Sequence, residues 1–269
     1  MLVFKRVSFI LIFIYLLIVV AKLFYVLHDN NRKTSMKTIL KNSQDENQRI
    51  IIFGSSHCHN GLSAEEIQKE FGIRTFNFCF QRWDDYEKNF LMLTESLNAN
   101  DYLIYVKRIP FNKNDLKRPY KNIFLNSIFP NLYGEISSVF LIDNFYFKKT
   151  NSNKYGDMIK FKTGNVNLPV EIKIDEASLI KYIKKQVNDV TKENYLPNLI
   201  FTHAPYSSNS KIEINYKNLS IDSKNNKFWF VPGINLNNKK YFMDNNHVNS
   251  LGRKVWTNYL IIQLKNIIK

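Results

Sequence analysis

Two cysteines in 269 residues permit one disulfide but do not demand it, so no framework of crosslinks substitutes for a core here. The chain has no internal repeat and no low-complexity block, which excludes a solenoid and a chain made mainly of linker. Acidic residues are scarce: 23 Asp and Glu stand against 38 Lys and Arg, a formal net charge of +15. Yet the lysines are dispersed, not gathered into the patch that nucleic-acid binding requires, so no nucleic-acid partner is expected. Also missing is any A-x-A-like triplet of small residues after the one long apolar run, which a cleaved signal peptide would need.

What is present is a hydrophobic fraction of 45% with 14% aromatics, enough to give one large domain or two small ones a proper core. Val7 to Leu27 is a run of twenty-one positions interrupted only by Lys22. That is about the length needed to span a hydrocarbon layer of roughly 30 Å. An uncleaved anchor is expected over residues 1–28, embedded in the lipid bilayer through 7–27, with Lys22 snorkelling toward the far interface. Lys5 and Arg6 precede the run while Arg32, Lys33, Lys37 and Lys41 follow it, so flanking charge alone does not set the orientation. A start-transfer segment so near the N-terminus, followed by one long polar domain, places the remainder outside the cytoplasmic membrane: a single-pass protein with an extracytoplasmic domain. Residues 1–41 hold seven Lys and Arg against Asp29, a charge of +6 that leaves +9 on the rest, so the basic excess is not confined to this end.

Residues 29–47 are polar with little apolar period and read as a tether. The folded domain is expected over 48–269. Arg49 to Phe53 is a short β-branched run that reads as a buried strand, followed by a Ser/His/Asn/Gly loop and then Ser63-Ala64-Glu65-Glu66, a capping box that opens a helix. Gly72 ends that helix, Arg74 to Phe78 makes a second strand, and Asp84 to about Leu97 sets Tyr86, Phe90, Leu93 and Leu97 at helical spacing. Tyr102 to Val106, Leu199 to Thr202 and Lys227 to Val231 are three further strands. Asp175 to Val190 and Gly252 to about Ile267 are helices.

Strands separated by helices imply parallel pairing through right-handed crossovers, hence an α/β fold: a three-layer α/β/α sandwich with a mainly parallel sheet. Such sheets bind ligands at the carboxyl ends of their strands. Pro110 to about Lys173 fits the alternation badly and reads as an insertion packed against or over the site, its many aromatics forming a local core.

Two segments carry chemistry. Gly54-Ser55-Ser56-His57 follows the run Ile50-Ile51-Ile52-Phe53, and Asp244-Asn245-Asn246-His247 stands just before the closing helix. A serine hydroxyl is a poor nucleophile unless an imidazole takes its proton, and that imidazole works best when a carboxylate fixes its tautomer. An Asp three residues before a His can bend back to accept from one ring nitrogen and leave the other free. Beside this reading, Ser55 is expected only to cap the turn, His57 and His59 to be surface loop residues, and His203 to be a satisfied structural histidine at a strand end. A metal site from His57, His59, His203 and His247 matches no standard spacing, so no metal and no cofactor are expected.

The loop IIIFGSSHCHNGL together with DNNHVNSLG resembles the SGNH (GDSL-like) hydrolase superfamily, with the nucleophile in a Gly-Ser-Ser loop after the first strand and D-x-x-H before the last helix. Asn249 and Gly252 fall where such members often carry H-x-N-x-x-G. The resemblance covers residues 49–107 and 198–267. It implies a flavodoxin-like fold, Ser56 as nucleophile, His247 as base and Asp244 as its orienter. It also implies an oxyanion hole built from the serine's own N–H, a Gly N–H after the second strand and an Asn side chain after the third. Here Cys79 stands in the Gly position, and Val106-Lys107-Arg108-Ile109-Pro110 lacks a G-x-N-D, leaving Cys79 N–H, Asn77 and Arg108 as the candidate donors. On the family's strand order Cys58 and Cys79 would lie at neighbouring strand ends, where either a disulfide or two unpaired small hydrophobes fit.

Departures of this kind, with an N-terminal anchor, are similar to envelope-associated branches such as D-alanyl-lipoteichoic acid biosynthesis and glycan O-acetyltransferase-like proteins. The expectation is a membrane-anchored serine esterase or O-acyltransferase acting on acyl esters of a cell-envelope glycan or polymer, with a membrane-bound acyl donor as a further partner. The alternative is a non-catalytic binding or assembly protein on the same scaffold.

Overall fold

A computed structural model of the protein describes residues 38–43, 46–79, 93–109, 153–159, 176–191, 198–207 and 227–268, with isolated positions elsewhere. The anchor expected at 7–27 lies outside the described residues save for a few scattered positions, as do most of the tether, most of the helix expected from Asp84, of which Leu93 and Thr94 are helical, and most of the 110–173 insertion. Among the described residues no helix is long and apolar enough to cross a membrane.

Five strands, β1 (Arg49–Gly54), β2 (Arg74–Asn77), β3 (Tyr102–Lys107), β4 (Asn198–His203) and β5 (Lys227–Val231), form one sheet in the order β2-β1-β3-β4-β5. Every neighbouring pair is parallel. In this 2-1-3-4-5 order the chain reverses its direction of travel at β1 and β3, which opens a crevice there. The strands are near-continuous apolar runs because both faces are covered.

Alternation divides them cleanly. Ile51, Phe53, Leu103, Tyr105, Leu199 and Phe201 pack on one face with Leu179, Ile183 and Val187 of the helix Glu176–Thr191. Ile50, Ile52, Ile104, Val106 and Ile200 pack on the other with Ile67, Trp256, Leu260 and Leu264. The chain therefore has helices on both faces of a parallel sheet.

The segment after β1, expected as a loop, is a short helix, α1 (Ser56–Gly61). It is held from three sides, which explains why polar residues with weak helix preference stay wound. Cys58 is disulfide-bonded to Cys79 beyond the end of β2, with Cα atoms 5.8 Å apart. Arg253 donates to the His59 and Asn60 carbonyls at its carboxyl end, and Gly61 packs on the Trp256 ring.

The next helix, α2 (Ala64–Phe71), has Ser63 as its N-cap, accepting from the Glu66 N–H at 3.2 Å, and Gly72 as its C-cap. The Ser63 N–H, which the expected capping box would pair with the Glu66 side chain, donates instead to Thr257 Oγ1. Asp157, from the region expected as an insertion, supplies the remaining cap by accepting from the Ala64 and Glu65 N–H groups. The helix Glu176–Thr191 is α3, and the closing helix α4 runs Ser250–Leu264.

At the amino end of the sheet, Arg49 and Asp101 form an ion pair with both side chains fully buried. Arg49 Nη2 and Nε both donate to the Asp101 carboxylate. Its remaining donors reach the Leu40 carbonyl, Ser43 Oγ and the Ser96 carbonyl. Asp101 in turn accepts from the Arg49 and Asn98 backbone N–H groups.

Candidate active site

The carboxyl end of β1 delivers the first group. Gly54 lies beside Val106 in the sheet, and a Cβ there would run into the Val106 carbonyl and Cys58 Sγ, so only glycine lets the chain turn from strand to helix at this point. Ser55 follows in extended conformation as N-cap of α1, and Ser56 is the first helical residue. Ser55 caps the turn as expected, its carbonyl accepting from the Cys58 and His59 N–H groups. Its Oγ makes no cap hydrogen bond and instead pairs with His57 Nδ1 at 3.0 Å.

The second segment is a tight loop closed by an antiparallel bridge between Phe242 and Val248, with the Met243 N–H donating to the His247 carbonyl at 2.9 Å. Phe242 and Val248 are buried with Leu236, which leaves Asp244 to His247 standing at the loop's tip. Asn249 anchors it. Its Oδ1 caps α4 by accepting from the Leu251 and Gly252 N–H groups, and its Nδ2 donates to the Lys240 and Phe242 carbonyls. Gly252 brings α4 so near the Tyr241 carbonyl that a Cβ would collide with it.

These two segments meet. Ser56 Oγ lies 2.9 Å from His247 Nε2, and His247 Nδ1 lies 2.9 and 3.0 Å from the two Asp244 carboxylate oxygens. Asp244 Oδ1 also accepts from the Asn246 and His247 N–H groups, at 2.7 and 2.8 Å. Burial works against the Asp244 charge, but those bonds and His247 outweigh it and lower its pKa. An ionised carboxylate only accepts, so His247 Nδ1 carries the proton and Nε2 is left to accept from the Ser56 hydroxyl.

The remaining candidates divide. Asn77 is buried, and both ends of its amide are committed: Nδ2 donates to the Leu62 carbonyl and to Asp157 Oδ1, while Oδ1 accepts from the Cys79 N–H at 3.1 Å. Neither Asn77 nor the Cys79 N–H is thus an open donor in this structure, because the disulfide and Asp157 draw both into the wall behind α1. Arg108, just beyond β3, is close enough for its charge to act on His57.

His57 and His59, expected at the surface, are buried, at 9% and 3% exposure, because they lie in a helix wedged against α4 rather than in a loop. The His57 ring stacks on that of His247, centroids 4.9 Å apart and planes 29° from parallel. Burial, then the neighbouring His247 and Arg108 charges, push its pKa down to about 3. Its Nε2 is buried with no hydrogen-bond partner.

His203, expected as a satisfied structural histidine, is fully buried at the end of β4 with neither ring nitrogen well bonded. It meets Phe201 and Phe230 edge-on, and burial lowers its pKa to about 4 against the opposing pull of the Lys107 carbonyl. Among the described residues no three His, Cys, Asp or Glu side chains are grouped to hold a metal.

Sequence reasoning did not find the Ser55–His57 pair, Asp157 or Arg253. Of these only His57 carried a signal, its place one residue after the nucleophile candidate. Neither a protein-family model, nor a curated protein, nor a solved structure matches the chain.

Proposed function

We propose that the protein is a membrane-anchored serine esterase or O-acyltransferase of the SGNH type, acting on acyl esters of a cell-envelope glycan or related polymer. The observation that carries the reading is the hydrogen-bonded series Ser56–His247–Asp244 at the carboxyl end of β1. In the proposed reaction His247 Nε2 takes the Ser56 proton as Oγ attacks the acyl carbonyl. The tetrahedral intermediate collapses when His247 returns that proton to the departing alcohol oxygen, leaving the acyl group on Ser56.

Water or a second hydroxyl then gives its proton to His247 and attacks the acyl-serine, and the proton passes back to Ser56 Oγ as the acyl group leaves. Hydrolase and transferase differ only in that acceptor. Asp244 holds the imidazole tautomer and stabilises the imidazolium each time it forms. The oxyanion is assigned to the Ser56 backbone N–H, which as a first-turn helix donor has no intrahelical acceptor, and to Arg108. A basic domain tethered to a membrane concentrates near anionic envelope polymers, which favours that substrate class.

A second reading, a non-catalytic binding or assembly protein, is favoured by one observation: the Asn77 and Cys79 donors are bonded to other protein groups. The two separate on treating the protein with a serine-reactive fluorophosphonate and an aryl acetate, alongside Ser56→Ala. Labelling and turnover that vanish in the variant are the expected result. Wild type and variant equally inert on these and on acylated envelope glycans would sink the enzyme and leave the second reading.

A further inference from the structure

The Ser55–His57 pair is the polar feature nearest the proposed triad that its chemistry leaves unused. We infer that His57 is a positioning residue for His247, held in place by Ser55 and acting through the face of its ring; the inference rests on the reading of Ser56 and His247 given above. Three observations carry it. The His57 and His247 rings are stacked at 4.9 Å, so His57 limits rotation of the imidazole whose Nε2 must stay on Ser56. Ser55 Oγ, bonded to His57 Nδ1 at 3.0 Å, fixes the His57 ring plane. Finally, α1, which carries His57, is pinned by the Cys58–Cys79 disulfide and by Arg253, so the stacking face is anchored to rigid elements.

A second imidazole here must also avoid competing for the proton. Two stacked rings cannot both be charged at low cost, because like charges a few ångströms apart repel strongly inside a protein. Burial of His57 beside the Arg108 charge keeps it neutral, so only His247 takes and returns the proton. The buried, unpartnered Nε2 follows from the same arrangement: a solvent-exposed or fully bonded His57 would be easier to protonate.

The test uses the full chain in membranes or detergent, with His57→Ala, His57→Phe and Ser55→Ala. Each variant is followed by fluorophosphonate labelling, by aryl acetate kinetics, and by the downfield imidazole N–H proton that His247 shares with Asp244. His57→Ala is expected to lower kcat and labelling rate at least tenfold with KM within about twofold, and to speed exchange of that proton with water. His57→Phe, which keeps a flat ring, is expected to recover most of the loss. Ser55→Ala, which removes one oxygen and tests the lock even where the larger change misfolds, is expected to fall severalfold. Labelling in all three variants equal to wild type, with an unchanged imidazole proton, overturns the inference while leaving the proposed function intact. Should wild type itself prove inert, the reading of Ser56 falls, and an imidazole proton unmoved by His57→Ala overturns the positioning role separately.

Discussion

The two ends of the sheet treat buried polar groups in opposite ways. At the amino end Arg49 and Asp101 are fully buried, and every guanidinium nitrogen is bonded. At the carboxyl end His57 Nε2 and Ser207 Oγ are buried without a hydrogen-bond partner, and the buried His203 ring has only the Lys107 carbonyl nearby and no well-formed bond. An unsatisfied buried polar atom costs about 1–3 kcal/mol, so the second arrangement is the expensive one and the first the stable one. The difference teaches how to read polarity inside a parallel sheet. A saturated network marks where the strands are fastened, and incomplete groups gather at the ends where such sheets carry their sites.

The largest effect expected from this contrast is a clean exchange of phenotypes. On the proposed function, Ser56→Ala is predicted to lose at least about a thousandfold in acyl-ester turnover with thermal stability little changed, since it removes one partly buried oxygen whose one side-chain partner is His247. Asp101→Ala is predicted to lose about 3–5 kcal/mol of stability, because it strands the Arg49 charge in the core. Its rate of fluorophosphonate labelling per folded molecule should stay as in wild type. Urea denaturation beside labelling measures both. An Asp101→Ala protein that is stable yet slow would break the division between a fastening end and a reacting end.

Acid sharpens the contrast next. His57 and His203 are held neutral, with pKa values pushed down to about 3 and about 4, whereas in the unfolded chain each takes its proton near 6.5. Below that value the unfolded state therefore binds more protons than the folded one. Stability is complete above about pH 6.5 and is lost as pH falls toward 4, by up to about 1.4 kcal/mol per pH unit for each histidine. Asp244, lowered by its hydrogen bonds, adds loss at still lower pH. His203→Leu should flatten the slope between pH 6 and 4 and leave stability at neutral pH equal or higher, since it removes two buried nitrogens that make no well-formed hydrogen bond. An unaltered acid slope in that variant would show that His203 is solvated or paired in the folded protein.

How much of this was legible in the sequence follows the same division. The five strands and the helices α2, α3 and α4 were readable within about two residues at most ends, because apolar runs, the Ser63 cap and Gly72 are local signals. The meeting of Ser56 with His247 and of His247 with Asp244 was legible as geometry, because each residue sits in a short segment with a local pattern. The α1 helix was not, since Ser, His and Asn have weak helix preference and what winds them is tertiary: the disulfide, Arg253 and Trp256. Nor was the burial of His57, His59 and His203, because a histidine's environment is set by elements far away in the chain. Asp157 capping α2 across 93 positions has no sequence signature at all.

The smallest predicted effect falls on the residue that joins fold to site. Asn249 Oδ1 caps α4 while its Nδ2 holds the Lys240 and Phe242 carbonyls, which begin the loop that presents Asp244 and His247. Asn249→Ala removes both functions and should cost about 1–2 kcal/mol of stability together with severalfold in turnover. Asn249→Asp keeps the cap, and an anion at a helix N-terminus is favourable, so most of the stability should return. The carboxylate cannot donate to the two carbonyls, however, so turnover should stay severalfold low. The stability and turnover losses then come apart in a single side chain. If Asn249→Asp restores both together, the loop is held by the helix cap alone, and the placement of His247 is a consequence of the fold's stability rather than of a separate set of bonds.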